Sequence, residues 1–331
     1  MGDVAMTVPV LKAFVLLYPE IKITVISRPF FKPFFDTIPS INFFVFDEKE
    51  RHKGFSGLFR MFSDLKKLNI DTFVDLHNVL RSKVLRTLFA LNGKSTVFID
   101  KGRAERAALT RPENKIFEQI PTVFERHTKV FVQLGFNLDL SNPIFPSKKQ
   151  LDKETSLLIG EGHKKLIGIA PFAQYKSKVY PLDLMQKMID ALIENENYKI
   201  LLFGGGKKEI EILDSTSKNR KNVINMAGKI SFHQELELIS NLDLMLSMDS
   251  GNGHIAAMFG VKVISLWGAT HPFSGFKPFN QPLSNSLVSD RNLFPQLPTS
   301  IYGNKKVPGY EDAMRTIPVE KIISKINEQF V

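Results

Sequence analysis

Residues 242–268 read LDLMLSMDSGNGHIAAMFGVKVISLWG. An apolar run, LDLMLSMD, ends in an acid, and after DSGNGH a helical segment leads into a second apolar run, VKVISLWG. Short apolar runs that alternate with segments of helical period are typical of parallel strands joined by helices. The stretch therefore predicts a strand, a helix and a second strand of one parallel sheet, with the polar loop at the carboxyl end of the first strand.

The same alternation extends through the whole chain. Helix candidates separate runs that are rich in β-branched and aromatic residues, and we expect parallel sheets covered by helices on both faces. The other strand candidates are IKITVIS (21–27), NFFVFD (42–47), DTFVDL (71–76), STVFID (95–100), KLIGIAP (165–171), KILLFGG (199–205) and VINMAG (223–228). The helix candidates are 4–18, 57–68, 79–91, 115–134, 182–196, 207–218, 232–241 and 253–259.

The length of the chain predicts more than one domain. It has 331 residues, whereas domains usually contain about 100–200. Prolines and charges interrupt the alternation over residues 137–163, where we place a linker. We therefore predict an N-terminal domain over 1–150, a C-terminal domain over 151–316, and a final amphipathic helix over 317–331 that begins at Pro318.

Composition narrows the functional classes. The chain has no cysteine, which excludes disulfides, thiolate metal sites and cysteine nucleophiles. The formal net charge is +10, of which residues 1–150 carry +8 and residues 151–331 carry +2. A basic surface suits an anionic partner such as a phosphorylated glycolipid, a membrane face or nucleic acid, although ordinary solvated lysines explain the charge equally well.

The loop DSGNGH (249–254) contains the richest set of polar residues. Ser250 and Gly251 fall where a helix begins, so their amides can face a diphosphate. Asp249 or Ser250 is the expected N-cap of that helix. His254 comes one turn later on the same face, within reach of an anionic oxygen or a sugar. A capped helix with a structural histidine is the simpler alternative.

Three further stretches contain candidate contacts. LFGGGKKE (202–209) brings three glycines to a strand end before a helix, which suits either close approach to phosphate or a tight turn without a ligand. This stretch does not fit GxGxxG, which disfavours a dehydrogenase-type dinucleotide fold. PFAQYKSKVYP (171–181) adds Lys178 at another strand end, where a surface loop is the alternative. Asp3 precedes a helix, and an N-capping role would explain it without chemistry.

Together and in this order, these stretches resemble family 9 glycosyltransferases, the heptosyltransferases of lipopolysaccharide core synthesis. The resemblance covers nearly the whole chain. Its motifs are a GDVxxTxPVL start, DLHNVLRS (75–82), the PFAQYKSKVYP loop, the glycine turn followed by Glu209, NMAGKISFHQELELI (225–239) and MDSGNGHIAAMFGVKVISLWGATHP (248–272). It implies a GT-B architecture, in which two Rossmann-like domains with parallel sheets face a central cleft. The first domain is expected to bind the acceptor and the second the nucleotide sugar.

The resemblance also implies a reaction, an inverting transfer of heptose from ADP-heptose to the inner core of lipopolysaccharide, with no metal and no further cofactor. Asp3 is the expected general base toward the acceptor hydroxyl. Lys178 is expected to neutralise the leaving diphosphate, helped by the amides of Ser250 and Gly251. The expected donor contacts are Ala173 and Gln174 at the phosphates, Glu209 at the ribose, the backbone near Ile230 at the adenine, Asp249 at the sugar, and His254 close by.

The expected partners are a nucleotide sugar and an anionic glycolipid, and not a nucleic acid. Acceptor contacts are expected in the basic first half of the chain, at Arg81, Lys101, Arg103 and Arg106. A cluster of surface charges without a ligand is the alternative explanation. The expected location is the cytoplasm, in peripheral contact with the cytoplasmic face of the inner membrane. Two other functions stay open: the same fold using another nucleotide sugar for a different surface glycan, and a non-catalytic protein that binds a nucleotide sugar.

The start of the chain departs from the family pattern. Family members place a hydrophobic strand before the Gly-Asp turn, whereas Met1 lies inside that turn here. We therefore expect that the first, central strand of the N-terminal sheet is missing from this sequence and is encoded upstream of an internal methionine.

Overall fold

The computed structural model describes residues 1–160, 162 and 164–330, in which helices alternate with parallel strands. Its strands are β1 (Ile23–Ser27), β2 (Ile41–Val45), β3 (Thr72–Asp75), β4 (Ser95–Phe98), β5 (Lys165–Ala170), β6 (Tyr198–Leu202), β7 (Val223–Asn225), β8 (Leu244–Met248), β9 (Lys262–Trp267) and β10 (Ser286–Val288). Its α-helices are α1 (Gly2–Ala5), α2 (Val8–Leu17), α3 (Lys32–Phe35), α4 (Gly54–Lys66), α5 (Leu80–Leu91), α6 (Arg103–Thr110), α7 (Val123–Val132), α8 (Lys153–Ile159), α9 (Leu182–Ile193), α10 (Lys207–Ser217), α11 (Phe232–Ser240), α12 (Gly251–Met258) and α13 (Val319–Asn327).

Every predicted strand is present, and the differences from prediction have local causes. The helix predicted over 115–134 begins only at Val123, because Thr122 Oγ1 accepts from the Glu125 amide in a capping box. Helix α8 forms inside the predicted linker 137–163, of which residues 161 and 163 lie outside the described residues.

The chain forms two compact units. The first comprises Met1, Asp3–Arg103 and Pro121–Ile144, and the second comprises Gly2, Ala104–Ile120 and the chain from Phe145 onward. Residues 104–120 thus pack with the second unit, although they precede the predicted boundary between the domains.

The first unit contains two separate parallel pairs of strands. Strand β1 pairs with β2, and β3 pairs with β4. Helices α4 and α5 cover the second pair, where the Phe73 and Phe89 rings stack with centroids 5.1 Å apart and Leu65 is buried. No strand of the described residues joins the two pairs. The expectation that a central strand is encoded upstream stays a prediction.

The second unit contains a six-stranded parallel sheet in the order β10-β9-β8-β5-β6-β7. Strand β5 is the point where this order reverses, because the chain continues to β6 on one side and β8 lies on the other. In open sheets of this kind, ligands bind in the crevice at the carboxyl ends of the strands beside the reversal. The loops that follow β5 and β8 are therefore the place to look for a site.

Helix α13 closes the second unit. It follows Pro318 and buries Ile322 and Ile326 in the core of the sheet. It lies inside the segment predicted over 317–331, of which residue 331 lies outside the described residues. None of the described helices has both the length and the apolar character that crossing a bilayer requires.

Candidate functional site

The DSGNGH loop lies between the end of β8 and the start of α12. Ser250 is the N-cap, but its Oγ is buried and has no hydrogen-bond partner among the described residues. Gly253 allows α12 to approach β8, because a Cβ there would lie 2.4 Å from Ser247 Oγ. Amides in the first turn of a helix have no intrahelical acceptor, and the positive end of the helix dipole favours anions. The start of α12 therefore offers backbone amides to an anionic ligand.

A buried ion pair joins the loops that follow β5 and β8. Lys178 Nζ lies 3.3 Å from Asp249 Oδ2, and the side chains are only 12% and 9% exposed. Thr270 Oγ1 donates to the same Oδ2 at 2.8 Å. A buried carboxylate that accepts from a cation and a hydroxyl is held in one orientation. Asp249, predicted to bind the sugar, thus holds the Lys178 ammonium beside the start of α12.

Contacts with later loops fix the turn that carries Lys178. Ser177 Oγ donates to the Gly303 carbonyl at 2.7 Å, and the Ala269 amide donates to the Ser177 carbonyl at 3.1 Å. Two glycines permit this approach, because a Cβ would lie 2.3 Å from Ser177 O at Gly268 and 2.7 Å from Lys178 Cγ at Gly303. The position of the ammonium is therefore set by packing on both sides of the turn.

Tyr180 anchors the same loop to the body of the unit. Its hydroxyl donates to the Ile317 carbonyl at 2.7 Å, and its amide lies 3.2 Å from Met248 Sδ. Burial, followed by the charge of Glu320, raises the pKa of Tyr180 to about 12. The hydroxyl thus stays protonated and donating at neutral pH.

The other predicted donor residues follow neighbouring strands at the same sheet edge. Glu209 lies in the first turn of α10, where one carboxylate oxygen accepts from the Gly205 amide at 2.8 Å. Ile230 directly precedes Ser231, the N-cap of α11. His254 is buried in α12, Ala173 packs on the core, and Gln174 is exposed. The methyl group of Ala173 offers no hydrogen bond, so a phosphate contact there would have to come from the backbone.

The predicted acceptor residues are divided between the units. Arg81 belongs to the first unit, where its Nη1 lies 3.3 Å from Glu48 Oε2. Lys101 and the exposed Arg103 belong to the same unit. Arg106 belongs to the second unit, where its Nη1 donates to the Tyr302 hydroxyl at 3.1 Å. The structure therefore does not gather these four cations in one unit.

Asp3 lies inside α1, in its first turn, and is exposed. Its carboxylate accepts no hydrogen bond from a described residue, so the N-capping explanation is wrong. Nearby in the first unit, burial lowers the pKa of His127 to about 4, against the opposing effect of the Asp3 charge. His127 is therefore neutral at pH 7 and supplies no positive charge to the Asp3 carboxylate, which interacts electrostatically with the N-terminal ammonium of Met1.

Sequence reasoning missed Thr270, although its hydroxyl completes the site. The residue lies in the quoted stretch GATHP, directly after the sheet edge reached by β9, and a hydroxyl at that place was the available signal. Among residues 1–160, 162 and 164–330, no three or more His, Asp or Glu side chains gather as metal ligands do. The metal and cofactor requirements stay predictions.

Comparison with known proteins places these features in a family context. The model of glycosyltransferase family 9 (heptosyltransferase) matches residues 58–300. The chain is 31% identical over 185 residues to lipooligosaccharide heptosyltransferase 2 of Haemophilus influenzae, an alignment that covers 54% of the chain and 51% of that protein. It is 23% identical over 334 residues to the lipopolysaccharide core heptosyltransferase OpsX of the same species, covering 99% of the chain and 93% of OpsX.

Solved structures share the architecture. The glycosyltransferase family 9 structure from Veillonella parvula superposes with a TM-score of 0.74 at 19% identity, covering 99% of this chain and 94% of that one. Escherichia coli heptosyltransferase WaaC with ADP superposes with a TM-score of 0.68 at 16% identity, covering 99% and 96%. The predicted α/β fold of the GT-B class is confirmed.

Proposed function

Because the chain belongs to glycosyltransferase family 9 (heptosyltransferase), we propose that it transfers heptose from ADP-heptose to the inner core of lipopolysaccharide. The chain is a glycosyltransferase by that membership, and its relatives of known function are heptosyltransferases of lipopolysaccharide or lipooligosaccharide. The observation that carries the finer proposal is the buried pair of Lys178 and Asp249 beside the start of α12. In this proposal, the Lys178 ammonium and the amides at the start of α12 would bind the anion together.

The leaving group of this reaction is a diphosphate, and its negative charge grows as the bond to the sugar breaks. The Lys178 ammonium and the amides of Ser250 and Gly251 would stabilise that charge in the transition state. Because Asp249 holds the lysine before the reaction begins, little reorganisation is needed when the charge develops. These groups together could replace a metal ion in this role, which is why we propose a metal-independent enzyme.

The nucleotide would lie along the carboxyl edge of the sheet, toward β6 and β7. One Glu209 oxygen accepts from Gly205, and the other would accept from a ribose hydroxyl. The backbone near Ile230 would contact the adenine, and His254 would lie near the phosphates or the sugar. The WaaC structures contain ADP in one case and ADP-2-deoxy-2-fluoro heptose in another, which supports an ADP-linked donor for this chain.

Asp3 would act on the acceptor. The acceptor oxygen attacks the anomeric carbon while the bond to the diphosphate breaks, and the hydroxyl proton passes to the Asp3 carboxylate. A single displacement of this kind inverts the configuration at the anomeric carbon. Because the Asp3 carboxylate accepts no hydrogen bond from a described residue, its oxygens would be available to accept this proton.

We propose that the protein meets its lipid-linked acceptor at the cytoplasmic face of the inner membrane, and helix α4 of the first unit supports this. Phe55 and Phe59 lie one turn apart on α4, are 68% and 47% exposed, and pair their rings with centroids 5.5 Å apart. Arg60 and Lys66 are exposed on the same helix. Exposed aromatic rings beside cations suit the interface of an anionic bilayer.

The proposed reaction is tested by offering the purified protein a panel of sugar donors. ADP-heptose, ADP-glucose, GDP-mannose and UDP-glucose are each incubated with a deacylated core glycolipid that lacks the heptose, and the products are analysed by mass spectrometry. We expect the mass of one heptosyl residue to be added from ADP-heptose alone. Transfer of another sugar would support a different surface glycan. Binding of ADP-heptose without any transfer would support a non-catalytic binding protein.

A further inference from the structure

Two cations of the second unit bind successive carbonyls of one loop outside the site described above, and the charge of a third, Lys305, acts on one of them. Lys115 Nζ donates to the Pro298 carbonyl at 2.7 Å, and Arg291 Nε donates to the Leu297 carbonyl at 3.0 Å. Because the two acceptors are successive carbonyls, the two cations lie close together. Burial, then the charges of Arg291 and Lys305, lower the pKa of Lys115 to about 8. We call Lys115, Arg291 and Lys305 the cation cluster.

No carboxylate offsets these charges within the part of the chain that the structure describes. None of the three cations forms an ion pair with a described carboxylate. Like charges that lie close together repel one another, most strongly where they are partly buried. An anion bound among them would relieve that repulsion and gain charge-assisted hydrogen bonds.

The arginine of the cluster is also held in a fixed position. The Arg291 guanidinium stacks on the Phe117 ring, with Cζ 3.4 Å from the centroid. Phe117 packs in turn against His271, with ring centroids 4.9 Å apart. Burial, and then the charge of Arg291, lower the pKa of His271 to about 4, so the imidazole is neutral at pH 7. A stacked guanidinium presents its edge in a fixed direction, which suits bidentate binding of phosphate or carboxylate.

The cluster borders the proposed leaving-group site but uses different residues. His271 follows Thr270, the hydroxyl donor to the buried ion pair. Lys305 lies two residues beyond Gly303, whose backbone packs against Lys178. An anion in the cluster would therefore be bound next to the loops of the leaving-group site without displacing the diphosphate from its own cation and amides.

We propose that Lys115, Arg291 and Lys305 form a subsite for one anionic group of the acceptor, a phosphate or a carboxylate of the glycolipid. This inference rests on the proposed function, because it assigns the cluster to the acceptor of that reaction. The donor diphosphate is the other possible source of an anion. We assign the cluster to the acceptor because the donor charge already has Lys178 and the start of α12.

Lys305→Gln is the cleanest test, because Lys305 is exposed and makes no hydrogen bond to a described residue. Lys306→Gln changes the exposed neighbouring lysine and is the matched control. With ADP-heptose and deacylated core glycolipid, we expect Lys305→Gln to raise the acceptor KM about threefold to tenfold, the effect of removing one partly screened charge. We expect Lys306→Gln to change it less than about twofold. The donor KM should stay the same in both variants.

Arg291→Lys supplies a second measurement. It keeps the charge but loses the planar fork, and we expect the acceptor KM to rise about tenfold. Thermal unfolding of each variant reports separately whether the fold is intact. A rise in the donor KM instead of the acceptor KM would overturn the proposal in favour of the diphosphate. Equal effects of Lys305→Gln and Lys306→Gln would overturn it in favour of general surface charge.

A direct binding experiment separates this proposal from the proposed function. If no sugar is transferred, the function fails, and the subsite is then judged by calorimetric titration of the deacylated glycolipid and of inorganic phosphate. Weaker binding of the glycolipid to Lys305→Gln than to Lys306→Gln supports the subsite even then. Equal binding to both variants refutes it. Weaker binding of inorganic phosphate alone would show a general anion site and overturn the assignment to the acceptor.

Discussion

Lys178→Met leaves the Asp249 carboxylate buried with Thr270 as its remaining side-chain partner. Removing one partner of a buried ion pair costs about 3–5 kcal/mol. The Thr270 hydrogen bond at 2.8 Å offsets part of this cost, so we expect the free energy of unfolding of the second unit to fall by about 3 kcal/mol. For a domain of this size, that loss corresponds to a decrease in Tm of about 6–12 °C.

The double variant Lys178→Met/Asp249→Asn separates stability from catalysis. Removing the carboxylate charge eliminates the uncompensated ion, so most of the lost stability should return and the two sites should couple by about 2 kcal/mol. The ammonium opposite the leaving diphosphate is still absent in the double variant. We therefore expect kcat to stay about 10²–10³-fold below that of the unchanged protein in both variants.

The assays are calorimetric unfolding and steady-state release of ADP, with Lys176→Met as the control. Lys176 lies in the same turn but is exposed, so its removal should change the free energy of unfolding by less than about 0.5 kcal/mol. Recovery of kcat to within tenfold in the double variant would refute the role of Lys178. A single variant as stable as the unchanged protein would refute the buried pair.

Three other outcomes follow from the structure. Asp3→Asn should lower kcat at least about 100-fold while the Kd for ADP, measured by calorimetry, stays the same; an unchanged rate would exclude this residue as the base. The double variant Phe55→Ser/Phe59→Ser should bind phosphatidylglycerol vesicles about tenfold or more weakly, as measured by co-sedimentation. The control Leu157→Ser, which removes an 82% exposed leucine of the second unit, should leave vesicle binding unchanged. Equal losses of binding in the two variants would contradict the membrane role of α4. Burial raises the pKa of Glu235 to about 7, because it favours the neutral carboxyl group in the folded protein. The contribution of this neutral group to the free energy of unfolding is complete below pH 4.5 and is lost as the pH rises through 7. Glu235→Gln should therefore be more stable by about 2–3 kcal/mol at pH 8, with the difference shrinking toward pH 4.5, and identical unfolding curves at pH 8 would argue against the buried carboxylate.

The strands and the loops of the donor site could be predicted because their signals are local. Strand β6, for example, is buried along its whole length and is apolar apart from Lys199. The late start of α7 was also readable in Pro121, Thr122 and Glu125, which together form a capping pattern. Strand β10 has only three residues and no apolar run, so its sequence does not predict a strand.

The rest depends on the order of the strands, which no local pattern encodes. Thr270 reaches Asp249, 21 residues earlier, only because β8 and β9 are neighbours in the sheet. Lys115 binds the Pro298 carbonyl across 183 residues. The charge of the segment around Lys115 was visible in the sequence, but its partners were not.

The assignment of residues 104–120 to the second unit matters for anyone who exchanges or isolates parts of this protein. A fragment that starts at Phe145 would lack Phe117, which packs against His271, and Lys115, which donates to the Pro298 carbonyl. A chimera between two family members, cut once at the obvious midpoint, would join this segment to a foreign partner. Residues 104–120 of such a hybrid would therefore have to come from the same parent as the chain from Phe145 onward, which requires three junctions, after residues 103, 120 and 144.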